Sequence, residues 1–569
     1  MKLNIHALAP SLLSFLLFLA VGCGKDTIST VEPSGNSTIE EGTVDTTCTV
    51  LYEYDHKVVV IYSATGAAKV TGTNDSVTAN VDGNAVTITN ISSKKVMYIL
   101  TGTSDNGYLK IYSGRKQGLQ LNNLGLVNPN GSAINIQGLA ETPSKGKRVD
   151  IYLGGSSTLG DGENYTQTPD GEDEKAVLFS EGQIVVNGNG KLNIEAVGKA
   201  GITSDDWVGF NNGCTVNVTS SAGHGIRGKD YVSVSGGTLD INVSADGKKG
   251  ISSDSLVCFN GGVTTIAVTG NTVVVSGDTS GTAGVKADQR FEMNAGTLTI
   301  TNNGKGGKGI SCDGPAFFSG GNINITVTGQ NFGSSGGGGW PGWGGNNDRS
   351  VGAKGIKCDG NIEISGSAVI TVKASNHEGI ETKGTLTITG GEVYSQSSDD
   401  AINSASTMTI SGGVICAYST GNDGLDANGN CYIQGGVIYA IGKTQPEMAI
   451  DANTEGGYKL YVQGGTIIAI GNLENGAQLS QACYQASSWT KNVWYSMTVG
   501  DKTYAFKTPS SGGTKLIVSG AQQPTVKSNV TVNGGTEMCN SMLNDSPTVT
   551  GGNTVTLTTY TSQGGWPGQ

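Results

Sequence analysis

Four short acidic phrases, EGIETKG, DDAINSA, NDGLDANG and EMAIDAN, concentrate oxygen ligands in one part of the chain. Aligned on Gly379, Ala401, Gly424 and Ala449, they follow one another at steps of 22, 23 and 25 residues. The position before the aligned residue holds Glu378, Asp400 and Asp423. The position two after it holds Glu381, Asn403, Asp426 and Asp451, with Asn428 and Asn453 close behind. Carboxylates brought into register repel one another unless a cation or a neutral oxygen donor separates them. Carboxylate and amide oxygens without His or Cys form a Ca2+-type ligand set. A solvated acidic corner that only caps turns is the other reading, because Asp and Asn are common turn residues.

Basic groups stand nearby. Lys354, Lys357 and Lys383 flank the acidic phrases, and a lyase acting on uronic acids needs a base to take the proton alpha to the carboxylate. Lys383 and Lys357 are the candidates for that role, against the plainer reading of surface lysines paired with Glu381 or Asp359. A further column, four after the aligned residue, holds Asp205, Lys229, Asp254, Asp288, Asp313, Asp359 and Lys383, and reads as ladder charge pairing. His377 reads as a turn residue, and the four His of the chain suggest no Ser-His-Asp set. Trp340 and Trp343, on the Gly-rich stretch SSGGGGWPGWGGNN, offer aromatic faces on which sugar rings stack, or pack locally within a loop.

A step near 24 residues that carries strands and one acidic phrase is the mark of a stacked repeat. The same phrase without its acids recurs at Gly201, Gly225, Gly250, Gly284, Gly309 and Gly355, with longer steps of 34 before Gly284 and 46 before Gly355. Gly-Gly turns at Gly236, Gly261, Gly320, Gly390, Gly412, Gly435 and Gly464 separate alternating runs such as LTIT and EVYS. These features predict an all-β fold, a right-handed single-stranded parallel β-helix, with each acidic phrase at one corner of one coil. Equivalent residues then stack about 4.8 Å apart. Ile202, Ile226, Ile251, Val285, Ile310, Ile356, Ile380, Ile402, Leu425 and Ile450 become one inward column, each contributing about 1.5–3 kcal/mol if fully buried.

Composition agrees. The 569 residues include 90 Gly, with 14% charged and 6% aromatic, which excludes a helical bundle and suits short strands joined by tight turns. A net charge of −12 argues against a nucleic-acid partner. Residues 1–22 read as a lipoprotein signal peptide: Lys2, an apolar run, then LAVGC, with Cys23 as the lipidated first residue of an exported chain expected to be anchored to the outer membrane and displayed at the cell surface. Residues 23–47 form a polar tether, 48–471 the β-helix with a loop insertion near 330–350, and 472–569 a β-structured cap and tail. Leu51 to Gly154 alternates without a clear corner phrase and is taken as first coils or a terminal cap, and Gly155 to Glu174 as a polar loop. No CxxC pair supports zinc or thioredoxin-like chemistry; Cys312 and Cys358, in equivalent places of GISCDG and GIKCDG, either stack or bridge, and Cys483 with Cys539 is a further candidate disulfide.

GIKCDG, HEGIETKGTLTITGG, DDAIN, NDGLDANG and the repeated ISGG phrases together resemble the bacterial carbohydrate-binding domain family built on a calcium-binding parallel β-helix, itself similar to pectate lyases. The resemblance runs from about Cys48 to Gly471. It implies calcium at Glu381, Asp400, Asp423, Asp426 and Asp451, and polysaccharide, of plant type or acidic, as partner. The expectation is therefore a surface lipoprotein that binds polysaccharide through Ca2+. A calcium-dependent polysaccharide lyase and an adhesin-like stalk are the alternatives.

Overall fold

The computed structural model describes residues 53–139, 148–166, 168–169, 171–333 and 351–562, all within one compact unit. Every regular element among them is a strand. The reason is visible in a single repeat. Ile380–Thr382, Leu386–Ile388 and Glu392–Ser397 are short runs rich in β-branched residues, and each is closed by a turn. Each then pairs in parallel with its counterpart one repeat on: Ile380 with Ile402, Leu386 with Met408, and Val393 with Ile415. The second glycine of a Gly-Gly pair makes the turn between the last two strands. Gly413 sits at φ 83°, where a side chain is strained and the backbone of the preceding repeat leaves it no room.

The result is an all-β stack with three columns of parallel strands. We call the column that begins at the acidic phrase the corner face, and the next two the second and third faces. On the corner face the expected inner column forms in full, from Ile202 paired with Ile226 to Leu425 bridged to Ile450. All ten of its residues are buried, at 0–1% exposure. The column also extends beyond the legible repeat. Val86, Leu109, Ile134 and Leu178 precede it in register, and Leu473 follows Ile450. The segment 51–154 therefore supplies both coils and a cap. Lys69–Thr71 and Val77–Asp82 pair antiparallel with His56–Tyr62 and Asn84–Asn90, which covers the open end.

Two expectations are corrected. The stretch 155–174 is not all loop: Ser156–Asp161 is a strand between the parallel strands Gln117–Asn128 and Lys191–Ala196, because Leu159 points into the core. Cys539 pairs not with Cys483, which is a free buried thiol, but with Cys416. Of the two arrangements open to Cys312 and Cys358, stacking is the one found: they stand in register on neighbouring corner strands as free thiols.

The C-terminal region also docks more broadly than on the last coil. Tyr394, Cys416, Tyr439 and Ile468 are outward-facing neighbours on the third face, and they are apolar and buried. Tyr495, Met497, Phe506 and Leu543 of a six-stranded antiparallel sheet cover them in a second core. Leu516–Ser519 meanwhile pairs antiparallel with Thr466–Ile470 and ends the parallel ladder. The longer step before Gly284 contains the hairpin Val273–Val275 with Asp278–Ser280. In the step before Gly355, Phe332 pairs with Val351; Trp340 and Trp343 lie outside the described residues, as does Cys23.

Candidate cation site on the corner face

Two outward positions of each repeat decide the charge of the corner face. The position two after the aligned residue runs Arg227, Ser252, Lys286, Ser311, Lys357, Glu381, Asn403 and Asp426, each paired in register with the next. The bridges from Leu425 to Ile450 and from Ile450 to Leu473 carry that column on to Asp451 and Glu474. The position before the aligned residue runs Lys249, Ala283, Lys308 and Lys354, then Glu378, Asp400 and Asp423. Both columns change sign at the same step, between the repeats of Gly355 and Gly379.

Glu381 sits on that boundary and is not free to take a cation. It is 2% exposed, Lys354 Nζ donates to its Oε2 at 2.5 Å, and Lys383 Nζ bonds its Oε1. Burial alone would raise its pKa, but the two ammonium groups hold it below the ordinary glutamate value. Glu381 therefore drops out of the expected ligand set, because lysines already fill both oxygens.

Beyond the boundary the carboxylates converge. Asp423, Asp426 and Asp451 each offer an oxygen, and these lie within 4.8 Å of one another. Asn403 stands between neighbours as expected: its Nδ2 donates to Asp400 Oδ2 at 3.1 Å and to Asp426 Oδ2 at 2.5 Å. The Asp423 N–H donates to Asp400 Oδ1 at 3.1 Å, and the Met448 N–H donates to Asp423 Oδ1. Among the described residues no Lys, Arg or His forms an ion pair with Asp423, Asp426 or Asp451.

Their acidity reflects that isolation. Burial pushes Asp423 up to about 8, and Asp400 and Asp426 add to the shift, which the Met448 N–H opposes. Burial, then Asp400 and Asp399, pushes Asp426 up to about 7. Asp400 rises to about 6 through burial and the neighbouring Asp399. Asp451 rises furthest, through burial and the Glu474 carboxylate beside it. A divalent cation fits these donors: they are hard oxygens, crowded, and uncompensated by any protein cation. Glu474 belongs with them. It is 6% exposed and accepts a hydrogen bond from Thr454 Oγ1 at 2.7 Å. Its phrase lacks the small residue before Leu473, but a further step of 23 residues from Ile450 points to it.

The basic half behaves differently. Lys175 bonds Asp205 at 2.7 Å, Arg227 bonds Asp254 at 2.7 Å, and Lys286 meets Asp288 at 3.0 Å and Asp313 at 2.5 Å. Lys357 pairs with Asp359. The column four after the aligned residue is thus the counter-charge of the column two before it, as ladder pairing requires. Lys357 and Lys383, the candidate bases, are both engaged in ion pairs. Lys249 and Lys308 make no ion pair and donate instead to Gly247 O and Gly306 O, each at 3.0 Å. Burial and neighbouring lysines lower Lys308 to about 7 and Lys249 to about 8. A second group, His377 with Glu378 and Asp399, also brings one donor atom each within 4.8 Å, although the sequence marked His377 only as a turn residue.

A profile of the family described as carbohydrate-binding domain-containing protein matches residues 82–334 and 345–559. A solved polysaccharide lyase-like protein from C. thermocellum, in its gadolinium derivative, is 21% identical, with a TM-score of 0.37 over 46% of this chain and 96% of that one. No curated protein matches the chain.

Proposed function

The chain belongs to the carbohydrate-binding domain-containing protein family, and from that premise we propose that it binds polysaccharide with the help of Ca2+ held on its corner face. The observation that carries the calcium reading is the convergence of Asp423, Asp426 and Asp451 within 4.8 Å with no ion pair to a Lys, Arg or His among the described residues. These three would hold the ion, with Asn403 and Glu474 beside them. A bound divalent ion supplies positive charge at which hydroxyl or carboxylate oxygens of a sugar bind. The protein's own part is to fix the donors on rigid strands. Asn403 and the Met448 N–H restrain the carboxylates, and the shared inner column keeps the repeats in register.

The stacked, repeat-by-repeat pairing supports a right-handed single-stranded parallel β-helix from residue 48 to 471, with 472–569 as its β-structured cap. Acidic or plant-type glycans are the proposed partners. Cys23 is the proposed lipid attachment point, placing the protein on the outer membrane after removal of residues 1–22.

The test is co-sedimentation of the protein, made without lipid by Cys23→Ser, with insoluble and gelled polysaccharides. Retention lost on chelation, restored by Ca2+, and absent in the Asp423→Asn/Asp426→Asn double variant is the expected outcome. A folded protein retained equally with and without Ca2+ would remove the ion from the binding mechanism. A folded protein retained on no polymer would sink the proposal.

A further inference from the structure

His377, Glu378 and Asp399 lie one step before the calcium candidates, and their chemistry differs. His377 Nδ1 meets the Glu378 carboxylate and lies 3.2 Å from Asp399 Oδ2. Both His377 Nδ1 and Glu378 Oε2 are shielded from solvent and make no hydrogen bond of acceptable geometry. Glu378 is only 8% exposed, and apart from a long 3.3 Å ion pair with Lys354 its Oε2 has no hydrogen-bond donor, which is costly unless something else binds it.

The neighbours aim the three groups rather than satisfy them. Asn422 Nδ2 donates to Asp399 Oδ1 at 2.9 Å, which leaves Oδ2 on the side of the imidazole. Gly352 lies against the ring, where any side chain would overlap it. Among the described residues Lys354 is the lysine that reaches Glu378, at 3.3 Å, but it is closer to Glu381, at 2.5 Å.

We infer that His377, Glu378 and Asp399 form a second cation site, which takes a borderline divalent ion such as Zn2+ through one imidazole nitrogen and two carboxylates. Imidazole selects zinc and its neighbours over calcium, whereas the all-oxygen set of Asp423, Asp426 and Asp451 prefers a hard ion. Three protein ligands leave a coordination position open, as in zinc sites that hold a water or an exogenous group. The inference does not depend on the calcium reading, because the two groups share no residue.

Calorimetric titration of Zn2+ into the Cys23→Ser protein at saturating Ca2+ tests it. One Zn2+ site that Ca2+ does not displace is expected, weakened at least about tenfold in His377→Ala and in Glu378→Gln. Ca2+ binding should be retained in both variants, which also shows that they fold. Conversely, Asp423→Asn/Asp426→Asn should lose Ca2+ and keep Zn2+. With Co2+ as the probe, visible absorption should appear in the parent protein and change in His377→Ala. Absence of Zn2+ binding in the parent, or Zn2+ binding unaltered in both variants, would overturn the site. Loss of Ca2+ together with Zn2+ in folded His377→Ala would merge the two groups and overturn it equally.

Discussion

Along one face of the stack, the repeats before Gly379 and those after it share an inner column and differ in everything outside it. In the basic half, cations alternate with serine down the column, from Arg227 through Ser252, Lys286 and Ser311 to Lys357. Each of these cations also has a carboxylate two residues along its own strand or on a neighbour. In the acidic half a single neutral residue, Asn403, interrupts Glu381, Asp426, Asp451 and Glu474, and only Glu381 has lysine partners. The first half pairs the charges of this column within the fold and leaves only Lys249 and Lys308, in the column beside it, to backbone carbonyls. The second leaves like charges buried together, which is costly unless protons or a cation join them. A repeat can thus keep its scaffold and change its chemistry through two outward positions alone.

The largest effects should come from breaking what the halves share. Ile402→Asp and Ile251→Asp each place a carboxylate in a dry column, at a cost on the order of 4 kcal/mol or more. Both variants should show rapid local hydrogen exchange and proteolysis at the altered repeat, to a similar degree. If Ile251→Asp kept the parent's protection while Ile402→Asp lost it, the inner column would not be the common support.

That shared column was legible because a branched aliphatic residue recurs at a nearly constant step, and stacking converts the step into contact. The earlier coils were not. Val86, Leu109, Ile134 and Leu178 occupy the same slot, but Leu109 and Leu178 lack the small residue before them, and Val86 and Ile134, which follow Ala85 and Ala133, lack the acidic neighbours. Acid positions were legible as types and registers, and the pairing of Lys383 with Glu381 and of Lys357 with Asp359 was one of the open readings, whereas the second lysine on Glu381, Lys354, was not legible. The two lysines on Glu381 come from positions whose side-chain direction depends on which neighbours are already paired. The Cys416–Cys539 link spans 123 residues, and only the docking of the C-terminal sheet brings its ends together. Buried Tyr394, Tyr439 and Ile468, apolar on the outward side, are the signal that a strand is covered on both faces.

The next largest effect separates the halves by pH. Asp423, with a folded pKa of about 8, stands above its unfolded value of about 3.9, so its contribution to stability is full below that value and fades as pH rises through 8. Lys308, with a folded pKa of about 7, stands below its unfolded value of about 10.4, so its contribution is full above that value and fades as pH falls through 7. In chelator, opening free energies from hydrogen exchange, corrected for intrinsic rate, should fall around Ile402–Ser404 and rise around Lys308–Cys312 between pH 6 and 9. Ca2+ should remove the slope in the acidic half only. Parallel slopes in the two halves would erase the distinction.

A smaller change sharpens it. Asn403→Asp removes the donor shared by Asp400 and Asp426 and adds a fourth close carboxylate, which should cost about 1–3 kcal/mol without Ca2+. Melting with and without Ca2+ is the check, and the stabilisation by Ca2+ should be larger in the variant than in the parent. An unchanged melting temperature in chelator would mean that these acids are already relieved by water.

The smallest effect tests the other side of the comparison. Lys357→Ala removes the partner of Asp359, whose side chain is 39% exposed, so the carboxylate left behind is solvated. Exposed pairs of this kind contribute about 0–1 kcal/mol, and raised salt should shrink even that. Lys383→Ala is the matched control across the boundary. Its carboxylate, on Glu381, is buried, but Lys354 remains to hold it, so the loss should again be modest. If Lys357→Ala instead lowered the melting temperature as far as Asn403→Asp does in chelator, the basic half would depend on its ion pairs as strongly as the acidic half depends on relief of its charge. The two halves would then differ in sign but not in kind.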